Sequence, residues 1–390
     1  MTTEVKKREI LMNASEILEY FENRQKIILN SIREIVEIES PSFNAEKSAE
    51  VARWIENETR TIPLEIKIEK TIVENCGEHL TIRAFPSDKK QILLLGHTDT
   101  VHPVGAKTEN PTRVENGMLY GGGVFDMKAN VVLMLEVLRF FAESKISPTR
   151  PITVLLSCDE EVGSLTGRAL VEAEAAQSEF CLVCEPSANS RVKTGRKGTG
   201  MFKIKTRGIP AHAGLEPEKG ASAILELARQ IPKIHALNDA ESGTTANVCQ
   251  IKGGTASNVI PEFAECTVDV RFSSAAEAEK LETSIRSLLS SDTKIALEIS
   301  GAINRPPMER TDQVVFLYEK ARSLAATFDY ELGETQVGGA SDGNFVAALG
   351  VPVLDGLGVA GGGAHTMNEH ILIDDLAKRA TLLTLLLLSE

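Results

Sequence analysis

The 390-residue sequence predicts an α/β protein: a mixed, largely parallel sheet flanked by helices, interrupted by a smaller ferredoxin-like α+β domain. Three observations carry that reading. Apolar strand-like runs alternate with helical periodicity as far as Cys184; between Gly198 and Gly301 the order becomes β-α-β-β-α-β; and the alternation resumes after Pro306-Pro307. The length allows two domains, and 42% hydrophobic residues supply a core for each.

Residues 9–38 carry apolar side chains at helical spacing (Ile10, Ile17, Leu18, Phe21, Ile28, Ile32, Ile35), which predicts one or two long amphipathic helices. Ser40-Pro41-Ser42 ends that pattern and opens a helix over 44–59. Strands follow at 64–70, 80–85 and 91–96, then a helix over 127–144 directly after Asp126. Strand 152–158 runs into Asp159-Glu160-Glu161, helix 164–176 follows, and strand 180–184 precedes Glu185. The inserted part reads as strand 199–207, helix 219–235, strands 245–252 and 262–272, helix 275–290 and strand 294–300. Helices 312–328, 343–349 and 374–388, with strand 351–355, complete the chain. The expected domains are thus 1–195 with 306–390, and the insert 196–305. Hinges are expected at Arg196-Lys197-Gly198 and Arg305-Pro306-Pro307.

A net charge of -13 with no basic patch to offset it argues against nucleic acid or an anionic membrane as partner. No apolar run reaches the ~20 residues of a membrane span. Met1 to Lys26 is dense in Glu, Lys and Arg and lacks the apolar stretch of a secretory signal. Cys158, Cys181 and Cys184 lie in strand-like runs and read as buried thiols, so a cytoplasmic location is expected. Cys181-Leu182-Val183-Cys184 matches C-x-x-C, but it lies inside a strand-like run and does not open a helix. Gly195 to Gly200 lacks the G-K-[ST] ending of a phosphate loop and precedes a strand.

The chemistry-bearing residues stand where these elements end. His97-x-Asp99 closes a strand; alternation points both side chains the same way, so His97 can bind a metal while Asp99 holds its other ring nitrogen. The other reading is a turn histidine satisfied by a turn aspartate. Asp126 follows Gly121-Gly122-Gly123 and either caps a helix or ligates; the glycines suggest close approach to something bulky. Glu160-Glu161 is either a solvated acidic turn or a pair with a cation between its carboxylates. Glu185 and His365, the latter after Gly361-Gly362-Gly363, could each be an ordinary turn residue. Taken together, the five groups point to a two-metal centre. Asp126 would bridge, His97 and Glu185 would hold one ion, Glu161 and His365 the other, and Glu160 would be left as general base. Three carboxylates and one hydroxide balance two divalent cations. The donor set suits Zn²⁺, with Co²⁺ or Mn²⁺ as alternatives.

The motifs GHTDTV, GGGVFDMK, DEEVGS, EPS and GGGAH, in this order, resemble the di-zinc family of glutamate carboxypeptidase, acetylornithine deacetylase, succinyl-diaminopimelate desuccinylase and aminoacylase. Within the insert, Gly208 to Gly214, Gly253 to Pro261, Asp269 to Phe272 and Asn304-Arg305-Pro306 extend the resemblance, which covers about residues 25 to 390. It implies two Zn²⁺ per subunit and an insert that serves as lid and dimerisation domain of a homodimer. It further implies that His212 stabilises the oxyanion of a neighbouring site, and that Asn258, Arg271 or Arg305 receive a substrate carboxylate. Glu185, where relatives that cut at a free N-terminus tend to have Asp, implies a substrate with a blocked amine. The expected activity is hydrolysis of an amide, peptide or N-acyl, in a small substrate with a free carboxylate, with C-terminal glutamate as the nearest family preference. The alternatives are an N-acyl-amino-acid deacylase, a dipeptidase or aminopeptidase, and a non-catalytic metal-binding protein.

Overall fold

Gln91–His97 is buried along its whole length, with Leu93, Leu94 and Leu95 fully inaccessible. A run that is apolar on both faces suits a strand covered on both sides. Each such leucine contributes about 1.5–3 kcal/mol on burial. The computed structural model describes residues 12–389, so Ile10 and the start of the 9–38 pattern lie outside the described residues. The chain divides into two compact units: residues up to Thr194 with Arg310–Thr335 and those from Leu349 on, and Gly195–Glu309 with Gln336–Ala348.

The first unit opens with α1 (Ala14–Val36) and α2 (Ala45–Arg60), capped by the side chains of Asn13 and Asn44. There follow β1 (Lys67–Val73), β2 (Gly77–Ala84), β3 (Gln91–His97), α3 (Ala129–Ser144), β4 (Ile152–Ser157), α4 (Arg168–Ala176) and β5 (Ser178–Val183). The sheet runs β1-β2-β4-β3-β5 and ends on the short strand Val353–Leu354. Its centre is parallel, β3 pairing with β4 and β5, and its β1-β2 edge is antiparallel. This is an α/β architecture with a mixed sheet flanked by helices. A second sheet of four short antiparallel strands, Gly361–Gly362, His370–Leu372, Met118–Tyr120 and Arg113–Glu115, has no counterpart in the sequence reading. Strands of two or three residues are too short to show alternation.

Other boundaries moved for local reasons. The described part of the 9–38 pattern forms one helix, Ala14–Val36. The helix expected from 127 begins at Ala129, because Asp126 and Met127 hold non-helical dihedrals. The helix expected from 164 begins at Arg168, after a 3₁₀ turn Glu160–Val162 that ends on Gly163 at φ 99°.

The second unit contains β6 (Gly198–Arg207), α5 (Ala223–His235), β7 (Thr245–Gly253), β8 (Phe263–Phe272), α6 (Ala275–Arg286) and β9 (Ala296–Arg305). Its antiparallel sheet runs β7-β8-β6-β9. Phe202, Ile204, Val268 and Val270 point to one face and pack with Leu227, Ile234, Leu281 and Ile285 into a core of its own. Gln336–Ala348 belongs to this unit: Asn344 donates to the carbonyls of Lys197 and Pro306, and Asp342 pairs with Arg305.

Candidate metal centre

Register in the first unit's sheet brings the turns that carry the candidate ligands together. His97 lies opposite Ser157, and Leu95 lies between Leu155 and Val183. The turns that follow β3, β4 and β5 therefore leave the sheet side by side at its carboxyl edge, where open α/β sheets build their sites. His97 is buried there. Its Nε2 faces Asp126 Oδ1 at 3.1 Å and Glu185 Oε1 at 3.4 Å. Its Nδ1 is 3.0 Å from the backbone oxygen of Asp99 and 3.4 Å from that residue's carboxylate. The expected His97–Asp99 partnership is thus present, with the main chain making the shorter contact. The Asp99 carboxylate also accepts from the backbone N–H groups of Glu160 and Glu161, at 3.1 and 3.2 Å, and from Ser42 Oγ at 2.7 Å.

Asp126 is no helix cap. Its carboxylate spans two imidazoles: Oδ1 faces His97, and Oδ2 lies 3.4 Å from His365 Nε2. The glycines before it are needed because the loop wraps the chain's own side chains. A Cβ on Gly121 would meet Val36 at 2.7 Å, one on Gly122 the His102 ring at 3.2 Å, and one on Gly123 the Thr100 methyl at 2.5 Å. Gly123 also holds φ 75°, which favours glycine.

Glu161 Oε2 lies 3.2 Å from His365 Nε2, while its Oε1 is buried without a hydrogen-bond partner. Ligand atoms of His97, Glu160 and Glu185 lie within 4.8 Å of one another, as do those of His97, Asp126 and Glu161. Proton affinities show what such a cluster requires. Burial pushes the Glu161 carboxyl up to about 8, Asp126 adding to the rise and His97 opposing it. Its hydrogen bond to Asp126 raises His365 to about 9. Burial works to lower His97, yet hydrogen bonds to Asp126, Asp99 and Glu185 hold it well above the ordinary histidine range. An oxygen left orphaned among imidazoles and carboxylates, with two nitrogens and three carboxylates at hand, is a donor set that fits divalent transition metals.

Two features escaped the sequence reading. Glu369, fully buried, accepts from the backbone N–H groups of Gly123, Phe125 and Asp126 and from His102. Its partners are 243 to 267 residues away, so no local pattern exposes it. Asp159, also buried, accepts from the backbone and hydroxyl of Thr166, which in turn meets His79.

The remaining expected residues lie in the second unit. His212 is exposed in the short strand Ala211–His212, opposite Val259, and its Nδ1 accepts from Gly214 N–H at 3.1 Å. Asn258 precedes Val259 and accepts through its backbone oxygen from Ala213, so it belongs to the same corner. Arg271 and Arg305 both stand opposite Thr199, on either side of β6. Each guanidinium is already committed within the unit, Arg271 to both oxygens of Asp269 at 2.9 Å and Arg305 to Asp342 at 3.0 Å.

Known proteins resemble this chain over most of its length. Carboxypeptidase G2 of Pseudomonas sp. (strain RS-16) is 27% identical over 367 residues, 92% of this chain and 88% of that one. A succinyl-diaminopimelate desuccinylase of Alkalilimnicola ehrlichii is 31% identical over 306 residues, 72% of this chain and 79% of its own. In fold, the crystal structure of aminopeptidase PepT from Bacillus cereus matches with a TM-score of 0.78 at 24% identity, covering 93% of this chain and 98% of that one. Residues 93–389, a span that includes every candidate ligand, match Peptidase family M20/M25/M40. The chain belongs to that family.

Proposed function

We propose that this chain hydrolyses an amide bond, peptide or N-acyl, in a small substrate carrying a free carboxylate, in the manner of a carboxypeptidase. The observation that carries the reading is Asp126, one oxygen turned to His97 and the other to His365. That is the pose of a carboxylate shared by two cations. His97 and Glu185 would hold one ion and Glu161 and His365 the other; Zn²⁺ fits, and Co²⁺ or Mn²⁺ would serve. Bound there, the cations supply a polarising charge and lower the pKa of water. Glu160, beside His97 and Glu185, takes the proton of the attacking water and delivers it to the leaving nitrogen.

In the second unit, residues 196–305 form the lid and dimerisation domain of a homodimer in this reading. His212, exposed in its short strand, would steady the oxyanion of a partner's site. Asn258, Arg271 or Arg305 receives the substrate carboxylate; a guanidinium matches its two oxygens with parallel donors. Similarity to carboxypeptidase G2 supports a carboxypeptidase with glutamate at the released end. Similarity to the desuccinylases supports a second reading, an N-acyl-amino-acid deacylase using the same centre. All six cysteines are free thiols, which supports a reducing, cytoplasmic setting. Among the described residues no helix is long and apolar enough to cross a membrane.

The test is a hydrolysis panel of N-acyl and N-aminoacyl amino acids on the zinc-loaded protein, beside the Glu160→Ala variant. Release of free amino acid that disappears in the variant and with chelator is expected. A bulky aminoacyl glutamate preferred over acetyl and succinyl substrates favours the carboxypeptidase reading; the reverse favours the deacylase. No turnover across the panel with metal bound overturns both.

A further inference from the structure

Glu369 ligates nothing in the proposed centre, yet its carboxylate is wholly engaged with the loop that delivers the central ligand. Oε1 accepts from Phe125 and Asp126 N–H, both at 2.9 Å, and Oε2 from Gly123 N–H at 2.7 Å and His102 Nε2 at 2.6 Å. Its backbone oxygen accepts from Gly121. Charge-assisted bonds of this kind are short and strong, and a buried donor robbed of its acceptor costs about 1–3 kcal/mol. Four residues earlier on the same turn stands His365. Glu369 therefore clamps the Gly121–Asp126 loop to the segment that carries His365.

We infer that Glu369, oriented by His102, is the positioning residue that aims the Asp126 carboxylate at both metal sites. Occupancy of the whole centre then depends on a side chain that touches no metal. The inference rests on the reading of Asp126 as the shared ligand. Outer groups that orient ligands typically change metal affinity by about 10–100-fold. Glutamine is the informative replacement. It has nearly the same shape, but its amide end presents donors where the loop's main chain also presents donors, so at least one main-chain contact turns repulsive.

The experiment is zinc binding to the full-length chain, followed by competition with a chromophoric chelator, for wild type, Asp126→Asn, Glu369→Gln, His102→Leu and His102→Gln. Circular dichroism and thermal unfolding of each metal-free protein run alongside. Glu369→Gln is expected to keep a folded chain and weaken both binding steps by about 10–100-fold. His102→Leu should weaken both steps less, and His102→Gln, which restores an amide donor, should recover most of that loss. A purely structural staple would lower the unfolding temperature and leave both affinities unchanged; that result overturns the inference, as does weakening confined to one step. Should Glu369→Gln fail to fold, the His102 pair decides: equal affinities in Leu and Gln overturn it. Wild type that binds no zinc sinks the shared-ligand reading itself, whereas wild-type binding with an unaffected Glu369→Gln sinks this inference alone.

Discussion

The two halves of the proposed centre are built from different material. His97 and Glu185 stand at the ends of adjacent parallel strands, both buried, in positions set by the β3–β5 register. His365 stands on a turn, its side chain 53% exposed and its backbone at φ 63°, a conformation that non-glycine residues seldom adopt. Its partner Glu161 sits in a 3₁₀ turn fixed by bonds from its backbone to Asp99. One half is thus held by the sheet, and the other by loops gripped from outside. The lesson is that two sites with similar donors can differ in affinity because their ligands lose different amounts of freedom on binding.

That contrast can be broken by mutation. The largest effect is expected for His97→Ala, since His97 faces both Asp126 and Glu185 and lies in both ligand clusters. Metal analysis should find the centre depleted, and kcat should fall by roughly 10³-fold or more, the worth of several kcal/mol of metal stabilisation. Glu160→Ala comes next. It should retain its metal and lose about 10²–10⁴-fold in kcat, whereas Glu161→Ala should lose metal. Equal metal loss in both variants would refute the division between base and ligand.

His365→Ala sharpens the comparison. It should release one ion and keep the one on the His97 side, so graded chelation of wild type should also proceed in two steps. Simultaneous loss of both ions, in the variant or in the chelation series, would show that the halves are not independent. The smallest effect is expected for Asp99→Asn, which leaves the His97 contact with the backbone oxygen intact but disturbs the grip on the Glu160–Glu161 turn. Metal affinity should drop by about 10–100-fold, a change measurable by chelator competition.

Much of the site was legible because its residues announce themselves locally. The fully apolar run before Gly96-His97 predicts a buried strand and places the histidine at its end. Asp159-Glu160-Glu161 follows an equally apolar run, and the two are neighbours in the sheet. Three of the inserted segment's four strands lie within a residue of their expected bounds, β6 and β8 with regular alternation, whereas β9 runs five residues past its expected end. Elsewhere the local cues carried two readings that the structure separates. The glycines before Asp126, which suggested close approach to something bulky, accommodate Val36, Thr100 and His102. Asp126 could cap a helix or ligate, and helix α3 starts three residues later without a side-chain cap. Arg271 and Arg305, which the family resemblance assigns to a substrate carboxylate, each hold an aspartate in this structure.

The sequence by itself determined which side chains are candidates for chemistry and at which element ends they stand, because burial and periodicity are properties of short stretches of chain. The tertiary structure alone decided that Asp126 faces two histidines at once and that Asp99 and Glu369 spend their charge on backbone N–H groups. Those contacts join residues up to 246 positions apart, and a hydrogen bond depends on distance in space, to which sequence separation gives no guide.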